Sequence, residues 1–172
     1  MTNSKAKEQR ITIANAMQIV RPSKGDMAGV GLYRMLRLVA LEDIIGPGAG
    51  AITYYAGKKL GESFGLKDLD SFLGICEQLN IGRIDIPLFT DEKIHVDIYE
   101  CVTCAGLDPV GRVLCHFEGG LIAGALRSIL GKKVQAREVS CIGGLGDETC
   151  GYDIGIGNAG IRNVLPSPWG EK

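Results

Sequence analysis

The chain has 172 residues, 45% hydrophobic and 23% charged, with 19 basic against 20 acidic side chains and a formal net charge of −1. That length gives one domain with a sizeable core, and these fractions exclude whole-chain disorder, collagen-like repeats and coiled coil. The charge balance supplies no basic field for nucleic acid, and no run of about 18 apolar residues marks a membrane span.

Residues 1–10 are polar and read as a flexible tail. They lack the apolar core of a secretory signal, so a cytoplasmic location is expected. Over 29–45, Leu32, Leu36, Val39 and Ile44 recur at three- to five-residue steps, which predicts a helix with these residues on roughly one face. Gly46-Pro-Gly-Ala-Gly50 interrupts it. A second helix is predicted from Ala51 to about Phe64, and a third, capped by Asp68 or Asp70, to about Leu79. The period then becomes two. Ile84, Ile86 and Leu88, then Ile94, Val96 and Ile98, alternate with polar residues or proline around a turn at 90–93, which predicts an antiparallel hairpin. A helix over about 112–130 follows, stopped by Gly131. A second hairpin is predicted from Lys133–Cys141 and Glu148–Ile156, joined through 143–147. Residues 11–164 thus form one α+β domain, helices first and then two hairpins with a helix between them. Residues 165–172 hold two prolines and read as an irregular tail, with Trp169 covering an apolar edge.

Glycine occurs 25 times, about twice its average usage of ~7%, which calls for tight turns, close helix packing or both. Gly46, Gly48 and Ala51 formally fit a dinucleotide-binding fingerprint. However, the preceding segment has helical periodicity where that fingerprint needs a strand, and Pro47 removes an N–H that a phosphate would use. A helix-breaking turn is the stronger reading.

The six cysteines stand at 76, 101, 104, 115, 141 and 150. Without export a disulfide framework is not expected, which leaves metal or redox use. The predicted elements bring four donors together: Cys115 near the start of the long helix, Glu138 and Cys141 at the end of a strand, and Cys150 on the returning strand. Three thiolates and a carboxylate make a tetrahedral set for Zn²⁺, closed and therefore of a structural kind. The alternative is buried free cysteines packing as small hydrophobes, with Glu138 solvated. Cys101-Val-Thr-Cys104 has C-x-x-C spacing but lies at a strand end, so packing, half a metal site and a redox pair all stay open. His116 reads as a surface or helix-cap residue, and His95 as solvent-facing.

Residues 99–154 resemble the 4-vinyl-reductase domain family. The carriers are Glu100-Cys101, Cys115-His-Phe117 with Gly120 and Gly124, Val134, Glu138-x-x-Cys141, and Gly146-Asp147 before Cys150. The stretch from Gly57 to Gly61 matches more loosely. The resemblance implies helices packed on a four-stranded antiparallel sheet, a fold similar to trafficking-complex (TRAPP) subunits and haem-NO-binding domains, and a homodimer. It also implies a structural zinc on Cys115, Glu138, Cys141 and Cys150, and a hydrophobic small-molecule ligand, as in sensor modules. Between 115 and 138 only Phe117 and His116 are aromatic, so an aromatic effector is not implied. The expectation is a stand-alone, zinc-stapled ligand-binding or sensing domain rather than an enzyme. Its pocket is expected among Ile86, Ile98, Phe117, Leu121, Ile122 and Val139, drawn from faces that should meet. The alternatives are a tetrapyrrole vinyl reductase or Cys101/Cys104 redox enzyme, and an assembly or tethering subunit.

Overall fold

The structure, a computed structural model, describes residues 11–23 and 28–157. The expected tails at 1–10 and 165–172, with Trp169, lie outside the described residues. Thr12 caps the single turn α1 (Ile13–Ala16). α2 (Val30–Arg34) runs through a π-helical stretch, Met35–Ala40, into α3 (Leu41–Ile45). Gly46, at φ 70°, ends this helix, and the 3₁₀ turn Gly46–Gly48 leads into α4 (Ala49–Ser63). The glycine cluster is therefore the helix-breaking turn expected of it. α5 (Leu69–Gln78) is capped by Asp68, whose Oδ1 accepts from the Ser71 N–H at 2.7 Å.

Strands β1 (Arg83–Phe89) and β2 (Lys93–Tyr99) form the first hairpin. After α6 (His116–Leu130) come β3 (Val134–Glu138), the one-turn α7 (Ile142–Leu145) and β4 (Cys150–Ile156). The sheet order is β1-β2-β4-β3, antiparallel throughout, so β4 docks on β2 and joins the hairpins into one sheet. Pro87 sits in edge strand β1 at a break in register between Asp85 and Leu88, where no ladder bond is lost.

Two boundaries differ from expectation. The helix predicted from 112 begins at His116, because Cys115 leaves helical space (φ −96°, ψ 42°) and gives its N–H to Glu138 Oε2 at 2.9 Å. The strand predicted to Cys141 ends at Glu138, and the connection is a helical turn closed by Gly146 at φ 87°.

Ile94, Val96, Ile98, Val134, Tyr152 and Ile154 face inward and are buried in one core cluster with Leu121, Ile122 and Leu126 of α6. α6 lies on β3 and is itself covered by α4. Glycine makes that second contact possible. A Cβ at Gly57 would collide with the Phe117 carbonyl oxygen, at Gly61 with that of Leu121, at Gly120 with that of Tyr54, and at Gly124 with that of Lys58. Two G-x-x-x-G faces thus meet backbone to backbone. At the α4–β3 contact, the Tyr54 hydroxyl accepts from the Ala136 N–H at 3.1 Å and Lys58 Nζ donates to the Val134 carbonyl at 3.0 Å.

The α2–α3 segment turns a charge inward. Arg37, inside the π-helical stretch, is buried and pairs with buried Glu118 of α6 at 2.7 Å. Thr103 Oγ1 and the Tyr33 hydroxyl donate to Glu118 at 2.6 and 3.1 Å, and Arg37 also donates to Thr103 and Tyr33. Phe117 stacks beneath the Arg37 guanidinium, 4.9 Å from its ring centre. Burial pushes the Tyr33 hydroxyl pKa up, helped by the Glu118 charge; for Arg37 burial opposes the charge, but Glu118 and Tyr33 more than compensate. Leu32, Leu36, Val39 and Ile44, the apolar residues of the predicted helix, are left exposed.

On the outer face of the sheet His95 is only partly solvent-facing. Its Nδ1 lies 2.8 Å from Asp153 Oδ1 and its Nε2 3.5 Å from Asp97 Oδ1. Among the described residues no helix is long and apolar enough to cross a membrane.

Candidate metal centre

Five thiols and one carboxyl converge beneath the start of α6. Cys101 and Cys104 come from the loop after β2, Cys115 from the residue before α6, Glu138 from the end of β3, Cys141 from the residue before α7, and Cys150 from the first position of β4. All five cysteines are fully buried. The Sγ of Cys115 lies 3.3 Å from that of Cys104, 3.5 Å from Cys101, 3.7 Å from Cys150 and 4.0 Å from Cys141. Cys104 and Cys150 are 3.2 Å apart, and Cys104 and Cys141 3.9 Å. Two sets of four donors each lie within 4.8 Å of one another: Cys115, Glu138, Cys141 and Cys150, and Cys101, Cys104, Cys115 and Cys150.

The surrounding backbone holds this geometry. Arg34 donates from Nε to the Val102 carbonyl at 2.8 Å and from Nη2 to the Ala105 carbonyl at 2.9 Å, tying the Cys101–Cys104 loop to α2. Asp147 Oδ2 accepts from the Cys141 N–H at 2.8 Å, and the Tyr152 hydroxyl donates to the Cys115 carbonyl at 3.0 Å. Gly143 and Gly144 are packed so closely that a Cβ would strike the carbonyl oxygens of Cys104 and Arg112. The turn 143–146 can therefore lie against the cluster only without side chains.

Glu138 Oε1 is buried and has no hydrogen-bond partner, while Oε2 takes the Cys115 N–H. An unpartnered buried carboxyl oxygen costs on the order of 1–3 kcal/mol. Burial first, and then the charge of Cys141, pushes the Glu138 pKa up to about 10. Hydrogen bonds from Cys104, Cys115 and Cys150 push the Cys101 thiol down, and the same web pushes Cys115 up, since a donor thiol keeps the proton an acceptor has given away. A soft dication removes both difficulties, because it deprotonates the thiols and supplies Oε1 with a partner. The donor set fits a metal.

The sequence separated Cys101 and Cys104 from the other four donors; the structure puts all six in one place. Their signal was the return of the chain after β2 towards the N-terminal end of α6, which spacing does not reveal. Cys76 is buried elsewhere, in α5, and burial pushes its thiol up to about 12. Of the expected pocket residues, Ile98, Leu121 and Ile122 are buried in the core, Ile86 and Phe117 are half-buried, and Val139 is exposed. None of the six lines the groove at the N-terminus of α6. That open groove, of about 530 Å³, is bounded by Glu42, Pro47, Ala49, Arg112, Val113 and His116. Glu42 and Arg112 pair across it at 2.6 Å, and His116 stands against Gly50. Burial lowers the His116 pKa, with the Arg112 charge adding to it.

Residues 94–156 match the vinyl-4-reductase (4VR) domain. The chain is 32% identical over 130 residues to an uncharacterized protein, MJ1642, of Methanocaldococcus jannaschii, covering 76% of this chain and 79% of that one. Solved structures share the fold at low identity. A vinyl-4-reductase family protein from M. jannaschii aligns at TM-score 0.57 and 18% identity, over 77% of this chain and 84% of its own. The phenol-responsive sensory domain of the transcription activator PoxR, solved with phenol, aligns at 0.60 and 14%, over 75% of each. A trafficking protein particle complex subunit 3 from Naegleria fowleri, covalently bound to palmitic acid, aligns at 0.52 and 14%, over 74% and 94%. The α+β fold and the resemblance read from residues 99–154 are both found, and the chain belongs to the vinyl-4-reductase domain family.

Proposed function

We propose that this chain is a small-molecule binding or sensing domain stapled by a structural zinc on Cys115, Glu138, Cys141 and Cys150. The observation that carries the metal is the buried, unpartnered Glu138 Oε1 beside three of the buried thiols. The ion supplies cross-linking: it ties the start of α6 to the ends of β3 and β4, segments otherwise joined at this point mainly by the Glu138–Cys115 hydrogen bond.

Support for ligand binding comes from the groove beside that staple. Arg112, Val113 and His116 flank Cys115 in sequence, so whatever fixes Cys115 fixes one wall of the groove. Pro47, Ala49 and Val113 offer apolar surface, and Arg112, Glu42 and His116 offer polar ends, which suits a ligand with a hydrophobic body and one hydrogen-bonding group. The PoxR domain of the same fold is a phenol-responsive sensor. A second copy of the chain covers the exposed row Leu32, Leu36, Val39 and Ile44 in this reading, as the homodimer expected from the family.

Metal analysis with thermal melting tests the staple. Zinc co-purifies, and chelation or Cys150→Ser lowers Tm. A site held 1,000-fold above its Kd stabilises by about 4 kcal/mol, equivalent to about 8–16 °C at this size. Metal-free protein with an unchanged melting curve would discard the staple. Native mass spectrometry of gently purified protein reads retained ligand and subunit count in the same experiment.

A further inference from the structure

Resting on that metal reading, we propose that the cysteine cluster holds two divalent ions, with the sulfurs of Cys115 and Cys150 shared between them. The two four-donor sets overlap in these two residues. Each ion then has a private pair, Cys101 and Cys104 for one, Glu138 and Cys141 for the other.

Sulfur spacing supports sharing. At a Zn–S distance of about 2.3 Å, two sulfurs on one tetrahedral ion stand about 3.8 Å apart. The Cys115–Cys150 separation is 3.7 Å, and the other separations given above run from 3.2 to 4.0 Å. Such spacing spans single ions directly. It leaves no room for the inorganic sulfide that an iron–sulfur cluster places between its metals.

Charge and burial favour the second ion. A single ion on the Glu138 set leaves Cys101 and Cys104 as fully buried thiols in contact with thiolates. Two ions use every donor: five thiolates and a carboxylate bring six negative charges against four positive, and the six protons pass to solvent on loading. The net −2 equals that of the one-ion site but is spread over two metals. The start of α6 and the amides of the tightly packed 143–146 turn lie beside it to offset the remainder. Soft donors in this number select Zn²⁺ or a thiophilic relative such as Co²⁺ or Cd²⁺.

The full chain, stripped of metal under reducing conditions, is titrated with Co²⁺ and followed by thiolate-to-cobalt charge-transfer absorption and by EPR. Absorption should rise to two equivalents per chain. Thiolate-bridged high-spin Co²⁺ ions couple antiferromagnetically, so EPR intensity per bound cobalt in the wild type should be several-fold below that of Cys101→Ser/Cys104→Ser, which binds one equivalent. Saturation of the wild type at one equivalent with full EPR intensity overturns the second ion and leaves the single-ion staple intact. Absence of binding removes both, and so does co-purified iron with acid-labile sulfide. If circular dichroism shows the double variant unfolded, the wild-type stoichiometry and EPR intensity decide alone.

Discussion

The same substitution should have opposite signs at two glycines of this molecule. Exchanging glycine for alanine inside a helix is intrinsically favourable by about 1 kcal/mol. At exposed Gly74 in α5 an added Cβ meets nothing within 4 Å, so Gly74→Ala keeps the gain. Gly120 in α6 has the same intrinsic gain, but there the Cβ collides with the Tyr54 carbonyl oxygen. It would also sit 2.8 Å from the Tyr54 carbonyl carbon and 2.9 Å from the Lys58 nitrogen. All three obstacles are backbone, so relief requires α4 and α6 to part, which unpacks Gly57, Gly61 and Gly124 as well. Overpacking costs about 1–3 kcal/mol, and an obstacle that cannot rotate away puts this site at the top of that range. Net of propensity, Gly120→Ala should lose about 2 kcal/mol and about 4–8 °C in Tm, while Gly74→Ala should rise by about 1–4 °C. Differential scanning calorimetry of the three proteins measures both. A Gly120→Ala variant melting at or above wild type would show that backbone contact between the two helices does not set their spacing.

Three further outcomes follow from single contacts. Arg37→Met should cost about 3–5 kcal/mol in urea unfolding by leaving Glu118 buried without its cation, whereas Arg37→Met/Glu118→Leu should recover much of that loss; equal losses would assign the cost to packing. For Asp153, burial raises the pKa, but hydrogen bonds from His95 and Lys93 outweigh it and hold the carboxyl below 3.8. Its stabilisation is therefore present above that pH and lost as pH falls through the lowered value. Asp153→Asn should cost less than about 1 kcal/mol at pH 5, with the gap closing towards about pH 2, and a gap independent of pH would contradict the linkage. Leu36→Glu should shift the chain to monomer in light scattering; an unchanged mass would show that this face is not the contact between copies.

Much of the fold was legible because its elements announce themselves locally. The switch in period at Arg83, the Asp68 cap and the αL glycine at 131 are decided within a few residues, and the structure has each where the sequence put it. What eluded the sequence depends on distant partners. Arg37 reads as a charge breaking an apolar run, and only the arrival of Glu118 from α6 makes it an interior residue. Leu32, Leu36, Val39 and Ile44 read as one helix face, yet the π-helical stretch and the Arg37–Glu118 pair put Arg37 inside and leave those four exposed. Cys101 and Cys104 looked like a separate motif because sequence distance to Cys150 carries no information about a loop that doubles back. Cys115, Glu138, Cys141 and Cys150 could be grouped because a helix start and a hairpin define their approach.

The start of α6 explains why metal, groove and packing belong to one device. Four consecutive residues there face four different neighbours: the Cys115 sulfur enters the thiol cluster, His116 lines the groove, the Phe117 carbonyl abuts Gly57, and Glu118 meets Arg37. A helix rotates as a unit, so these contacts must be satisfied together or strained together. The Phe117 and Glu118 contacts lock the helix azimuth against α4 and the α2–α3 segment. They leave Cys115 and His116, at the frayable first turn, as the part free to respond. Metal occupancy and groove occupancy thus act on adjacent residues of the same turn, and any preference of one for a given position of that turn is felt by the other to the same extent.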